Sequence, residues 1–379
     1  MFGQHRWHRQ ASLVAIRFWD PPRRGGPDPP RLWAQTVALL NPGAPGAPGA
    51  RCVGLRPRRD EGGRRGAHTA PRSNPKGGNM DMEKASPVKG TPDGTPEGGP
   101  PLVAVCQLTS TDDVDKNVRA CEALVCRASV RGARAVFLPE ASDFLCGSGS
   151  QASGLTQSLD GPIVQAFRDM ARRHGVWLSV GVHERGPTWS EDGRVYNSHL
   201  LLDEHGEVRA VYRKTHLFDV DLPGVVRLKE SDYTLPGPCI APPTATPIGM
   251  VGLGICYDVR FPEFSQRLRQ SGAEVLTYPS AFTLTTGMAH WEPLLRARAI
   301  ETQCYVVAAA QAGRHGAPRD SAPAPRVSFG HGVVVDPWGC VVAQCGHGNS
   351  LALAEVDTGL VRNVRTSMPV HEHRRHDLY

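Results

Sequence analysis

From Leu102 onward the chain changes character, and this change constrains the fold more than any other feature. Apolar runs of strand length begin to alternate with stretches whose apolar residues recur at helical spacing. LVAVCQL at 102–108 reads as a strand, and Val114, Val118, Cys121 and Val125 then share one helix face. A strand at 135–138, a helix at 162–174 and a strand at 177–183 follow. Next comes a hairpin of 196–203 and 208–214, turned by Asp203-Glu204-His205-Gly206. Strands over 247–256, 274–279, 304–311, 331–335, 340–345 and 351–356 complete the pattern, with helices at 262–272 and 288–302. Two helix-bearing halves around short, Val-rich strands predict layered sheets covered by helices, an α/β sandwich.

Nothing comparable precedes Leu102. Of the 41 Gly and 33 Pro in the 379 residues, 31 fall in positions 1–100, a density about twice that of the remainder, so no core is expected there. Residues 1–79 also hold 14 Lys/Arg against 4 Asp/Glu, which is +10, whereas the whole chain is only +6. The part from Met80 is therefore −4, and the overall basicity gives no warrant for a nucleic-acid surface on the folded portion. The segment is rich in Arg and poor in acids, which matches a mitochondrial transit peptide in part, although its apolar face is weak. Residues 1–101 are accordingly expected to be a disordered extension and linker that sometimes directs the chain to mitochondria, and 102–379 the folded domain. No apolar run reaches the ~18 residues of a membrane-spanning helix. Ten scattered cysteines with no secretory signal ahead of them suggest a reducing, cytoplasmic setting.

Three segments carry chemistry. GMVGLGICYDVRFP at 249–262 describes a buried strand whose glycines let other backbone approach, with Pro262 opening the next helix. Cys256 then stands on the strand-to-helix turn, where a sulfur can be exposed and held as thiolate. The alternative is an inert core thiol. FLPEA at 137–141 puts Glu140 just past a strand end, the edge where α/β folds bind ligands. A solvated loop carboxylate is the blander reading. In VYRKTHLFD at 211–219, Lys214 closes a strand; beside a carboxylate and a thiol it supplies positive charge where an oxyanion forms. Alone it reads as a snorkelling surface residue.

Taken together and in this order, FLPEA, YRKTHLFD and GICYDVRFPE resemble the Glu-Lys-Cys set of the nitrilase superfamily of carbon-nitrogen hydrolases. The likeness covers about 102–379 and extends to ESDYTLPG, TYPSAF, HWEPLLRARAIETQCYVVAAAQ and VDPWG. Within the superfamily it is most similar to the deaminated glutathione amidase branch, whose invertebrate members are fused to a Fhit-type nucleotide hydrolase. The resemblance implies an αββα sandwich that forms homodimers or larger homo-oligomers through helix faces. It also implies Glu140 as base, Lys214 as oxyanion support, Cys256 as nucleophile and Glu230 as a second, positioning carboxylate. The backbone N–H of Tyr257 would complete the oxyanion site, and Arg260, His216 and Phe282 would line the substrate pocket. The chain departs from the pattern at Ser142, often aromatic in the family, and at Gly332, where a Ser is usual. The Pro-rich loop at 313–328 is longer than the branch usually carries and suggests a mobile insertion.

The chemistry implied is hydrolysis of a small amide through a thioester. Glu140 takes the thiol proton, ammonia departs, and the same Glu activates water. The expected substrate is deaminated glutathione or a related α-keto ω-amide, with α-ketoglutaramate or simpler aliphatic amides as alternatives. No metal, organic cofactor, nucleic acid or membrane is called for. There is no CxxC, and His371-Glu372 has Arg375 where HExxH needs His. A Cys-His hydrolase using His216 or His331 is the rival enzyme, and a catalytically silent scaffold in Fhit-type signalling the rival of another class.

Overall fold

Strand β1, Leu102–Leu108, shows why this chain builds layers. Val103 and Val105 enter a core shared with Phe137, Leu201, Val251 and Leu253, while Ala104, Cys106 and Leu108 enter a second core with Leu124, Phe167 and Met170. A strand buried on both faces needs a sheet on one side and helices on the other. The computed structural model describes residues 99–145, 154–186, 193–222, 226–316 and 326–378. The extension expected over 1–101 lies, up to residue 98, outside the described residues, as does most of the 313–328 loop.

Helix α1 (Val114–Val130) is capped by Asp113, which accepts from the Lys116 N–H at 2.9 Å. It is followed by β2 (Ala135–Phe137), α2 (Pro162–His174) and β3 (Trp177–Arg185). Pro162 opens α2 and Gly175 ends it in the left-handed conformation. The expected hairpin is β4 (Val195–Leu202) with β5 (Val208–Arg213). After β6 (Asp219–Leu222) and β7 (Val226–Lys229), a two-stranded ribbon with no counterpart in the sequence reading, come β8 (Thr244–Thr246) and β9 (Gly249–Leu253). Helix α3 (Pro262–Gln270), β10 (Val275–Thr277), α4 (Leu284–Thr302), β11 (Tyr305–Ala308), β12 (Ala310–Arg314) and β13 (Val327–Phe329) follow. The chain ends through β14 (Val333–Val335), β15 (Val341–Gln344), β16 (Ser350–Glu355) and α5 (Thr358–Ser367).

The larger sheet has eight strands, ordered β13-β12-β1-β2-β3-β4-β5, with β16 also pairing β1. The second has six, ordered β15-β14-β11-β10-β9-β8. Its centre, β9-β10-β11, is parallel, as is β12-β1-β2-β3 in the first. Helices α1 and α2 cover the first sheet, and Trp291, Leu295 and Ala299 of α4 pack on the second. This is the expected αββα sandwich.

Several details differ from the sequence reading. The apolar run 304–311 is two strands, not one: β11 belongs to the second sheet and β12 to the first, so the chain changes layers at Ala309. The run 247–256 is a strand only to Leu253, and a 3-10 turn, Cys256–Arg260, separates it from α3. Helix α4 starts at Leu284 rather than 288, because Thr283 caps it by accepting from the Thr286 N–H. The glycines of 249–254 also serve a different purpose. A Cβ on Gly252 would meet the side chains of Leu276, Ala273 and Leu268, and one on Gly254 would meet the Tyr278 ring at 2.7 Å. They admit side chains, not backbone.

Candidate active site

Strands of both sheets deliver their carboxyl ends to one region. Glu140 follows β2, Cys256 follows β9, Lys214 follows β5, and the segment 278–282 follows β10. Two of these turns use a left-handed non-glycine residue, Ala141 at φ 56° and Cys256 at φ 44°. Such backbone costs on the order of 1 kcal/mol or more and persists only when its surroundings hold it. Here they do. Cys256 N–H donates to the Pro279 carbonyl at 3.0 Å, and Ser142 N–H to the Gly181 carbonyl at 2.9 Å. The Ser142 hydroxyl, in place of the aromatic residue usual in the family, donates back to the Pro139 carbonyl at 2.7 Å and tightens the Glu140 turn.

Glu140, Lys214, Glu230 and Cys256 are all buried. The Lys214 ammonium reaches Glu140 Oε1 at 3.1 Å and Glu230 Oε1 and Oε2 at 3.0 and 2.9 Å. Glu230 is fixed in turn by the Phe218 N–H at 2.7 Å. Asn197 on β4, which the sequence reading did not single out, donates to Glu140 Oε1 at 2.7 Å and to Glu230 Oε1 at 3.3 Å. Oε1 of Glu140 is thus pinned twice. Its Oε2 is buried and makes no hydrogen bond among the described residues. The Cys256 thiol stands beside this carboxylate, close enough for each group to shift the other's proton affinity.

Charge follows from these contacts. Burial alone raises the Glu140 carboxyl, but the Lys214 and Arg326 cations, the Asn197 donor and the thiol together bring it below its ordinary value. Lys214 loses by burial and gains more from the Glu140 and Glu230 charges, so it is held well above the usual lysine range. Burial and the Glu140 charge push the Cys256 thiol well up, against the partial help of Lys214 and the Ala281 backbone N–H. Cys256 is buried rather than exposed, and its surroundings favour the protonated thiol, so its proton has to be taken by the adjacent Glu140, as the sequence reading has it.

The remaining candidates form an aromatic shell. Tyr257 packs edge-on against Phe218 and Phe261 at 5.0 and 5.3 Å between centroids. His216 stacks on Phe261 at 3.7 Å, and its Nδ1 is bound by Asp258 Oδ1 at 2.7 Å. Phe282 lies against Trp291, and the Arg260 guanidinium covers both Phe282 and Tyr257. Arg260 makes no ion pair with its sequence neighbours. Asp258 is committed to Tyr212 Oη, the Ile255 N–H and His216, and the polar partner of Arg260 is His290 at 3.2 Å. His331 is turned elsewhere: its Nδ1 faces the Phe329 carbonyl and its ring stacks on Phe329. Among the described residues no three His, Cys, Asp or Glu side chains gather as a metal site.

The family described as Carbon-nitrogen hydrolase matches residues 102–366. Over 280 residues the chain is 52% identical to the deaminated glutathione amidase of Homo sapiens, covering 74% of this chain and 84% of that protein. The crystal structure of the C. elegans NitFhit protein superposes with a TM-score of 0.69 at 48% identity, covering 74% of this chain and 66% of the other. A mutant of the amidase from Nesterenkonia sp. AN1, which carries the acetamide moiety of fluoroacetamide covalently at its active-site cysteine, superposes with a TM-score of 0.58 at 26% identity over 73% of this chain and 98% of the other.

Proposed function

The chain belongs to the carbon-nitrogen hydrolase family and acts on carbon-nitrogen bonds, and from that premise we propose that it is an amidase of deaminated glutathione, or of a closely related α-keto ω-amide, working through a Cys256 thioester. One observation carries the mechanism. Glu140 is fixed through Oε1 by Lys214 and Asn197, and the carboxylate so held adjoins the Cys256 thiol.

Glu140 takes the Cys256 proton as the sulfur attacks the amide carbon, so negative charge moves from the carboxylate to the carbonyl oxygen. Lys214, no longer facing an ionised Glu140, then stabilises that oxyanion together with the Tyr257 backbone N–H. Glu140 returns the proton to the departing nitrogen. For a deaminated peptide this nitrogen is the amine of cysteinylglycine, not ammonia. Water enters, gives its proton to Glu140 and splits the thioester, and Glu140 hands that proton to the departing Cys256 sulfur. Phe282 and His216 form walls of the pocket, and Arg260, whose planar fork is free of acidic partners, reads the keto-acid carboxylate.

The hydrolase domain is taken as 102–379, with 1–101 an extension. The chain is placed in the cytoplasm and also in mitochondria, as a homo-oligomer. Leu284 and Met288 support the last point, since both are exposed and lie one turn apart on α4. No described helix is long and apolar enough to cross a membrane.

The test is to incubate the full chain with deaminated glutathione and follow release of α-ketoglutarate and cysteinylglycine. Turnover is expected, with complete loss in Cys256→Ala. Turnover confined to simple aliphatic amides would overturn the substrate assignment, and undiminished turnover in Cys256→Ala would overturn the thioester.

A further inference from the structure

Arg326 was not among the residues that the sequence singled out, because it sits in the Pro-rich 313–328 loop. The structure places it immediately before β13, which is tied to the nucleophile's surroundings. Phe329 N–H donates to the Phe282 carbonyl at 2.9 Å, and Ser328 bridges Thr283. The Arg326 Nη2 donates to the Ala281 carbonyl at 3.1 Å. Ala281 is also the residue whose backbone N–H supports the Cys256 sulfur. One peptide residue thus links the guanidinium to the reacting atom.

Unlike Arg260, Arg326 is exposed, at the rim of the site. Among the described residues its guanidinium makes that single hydrogen bond and no ion pair, so most of its N–H fork points at nothing. It is nonetheless near enough to the buried cluster to favour the ionised form of Glu140, second only to Lys214 among the cations acting there. A guanidinium with no acidic partner among the described residues, within the field of an active site and open to solvent, is suited to capture a carboxylate bidentately.

We propose that Arg326 is a second carboxylate-binding residue, which receives the terminal carboxylate of the departing peptide and so selects a deaminated peptide over an amide that releases ammonia. The inference rests on the amidase reading above and divides the two charged ends of that substrate. The keto-acid carboxylate lies nearer the scissile carbon, which suits Arg260 in its aromatic nest. The peptide carboxylate lies further out, which suits the rim. α-Ketoglutaramate has only the first of these carboxylates, so its binding makes no use of Arg326.

The test compares kcat/KM of the full chain and its Arg326→Gln and Arg326→Lys variants on three substrates: deaminated glutathione, its C-terminal amide, and α-ketoglutaramate. Arg326→Gln should lose about ten- to a hundredfold on deaminated glutathione, the range for one charge-assisted contact. On α-ketoglutaramate it should lose only the small common factor that removing a cation near Glu140 imposes on every substrate. The C-terminal amide should already be slow with the native residue and should lose only that same factor, while Arg326→Lys should recover part of the loss on the acid. A residue that merely supports the Ala281 turn would show equal losses on all three substrates, and that result would overturn the proposal. So would an unaffected rate on deaminated glutathione. If the native chain hydrolyses α-ketoglutaramate but not deaminated glutathione, the substrate assignment itself fails, and this is visible before any variant is made.

Discussion

At the scale of single residues, the site's behaviour follows from where one proton rests. Glu140 is ionised and lowered, Lys214 is charged and raised, and Cys256 is a raised thiol. The competent state therefore needs a deprotonated Glu140, whose folded value lies below the ordinary ~4.3 of a glutamate. The stability it contributes is present above that ordinary value and is lost as pH falls through the lower folded one. A kcat/KM profile should fall only on that acid side and show no inflection near ~8.5, where an unperturbed thiol would titrate. A limb near the thiol value would mean that the thiolate is pre-formed. Asn197→Ala removes a donor that favours ionised Glu140, so its acid limb should move upward, with kcat reduced. Glu230→Gln leaves Lys214 with one anion fewer in a buried setting, and the expected cost is about 3 kcal/mol of unfolding stability, read by denaturant titration. Glu140, Lys214 and Cys256 were legible in the sequence because each ends an apolar run with a residue type that needs a reason to be there. Asn197 was not. It sits inside NSHLLL, a strand whose sequence carries no Gly or Pro breaker, and only the pairing of β4 with β3 and β5 turns it toward the carboxylates.

At the scale of elements, the cluster depends on close approach between β3 and the Glu140 turn. A Cβ on Gly181 would lie 2.6 Å from Glu140 Cα and 2.9 Å from the Pro139 carbonyl oxygen, both backbone atoms that cannot swing aside. Gly181→Ala should therefore displace the base. The expected cost is about 1–3 kcal/mol of stability, as for other overpacked sites, and a fall in kcat larger than that loss explains at temperatures where the variant remains folded. Unchanged kcat would show that the turn tolerates movement. Helix and strand periodicity located most elements, though not α5, β8 or β13, since burial of one helix face or of both strand faces leaves a pattern. It missed the layer change at Ala309 because residues 304–311 are buried throughout, and an unbroken apolar run carries no mark of which sheet each half joins. It missed β6 and β7 for the opposite reason: a ribbon outside both main sheets has no core-facing alternation to display.

At the scale of the whole molecule, the described strands of the two sheets are all supplied from Leu102 onward. β1 pairs β2 along one edge, and its other edge is filled by β16 over Leu102–Gln107 and by β12 at Gln107 and Leu108. The Val356 N–H donates to the Pro101 carbonyl at 3.0 Å and completes that edge. A strand satisfied on both sides offers no ladder to a preceding segment. Both cores that β1 feeds are likewise assembled from residues beyond it. A chain beginning at Met80 should therefore unfold cooperatively, with the same midpoint as the full chain, and should keep its turnover. The missing segment carries a +10 charge, so the shortened chain has a net charge of −4. If the basic segment serves only as an address, attaching it to a reporter should move the reporter to mitochondria while the chain from Met80 stays cytosolic. A lowered midpoint in the shortened chain would instead mean that residues before Met80 pack against the domain, and a cytosolic reporter would leave the segment without a targeting role.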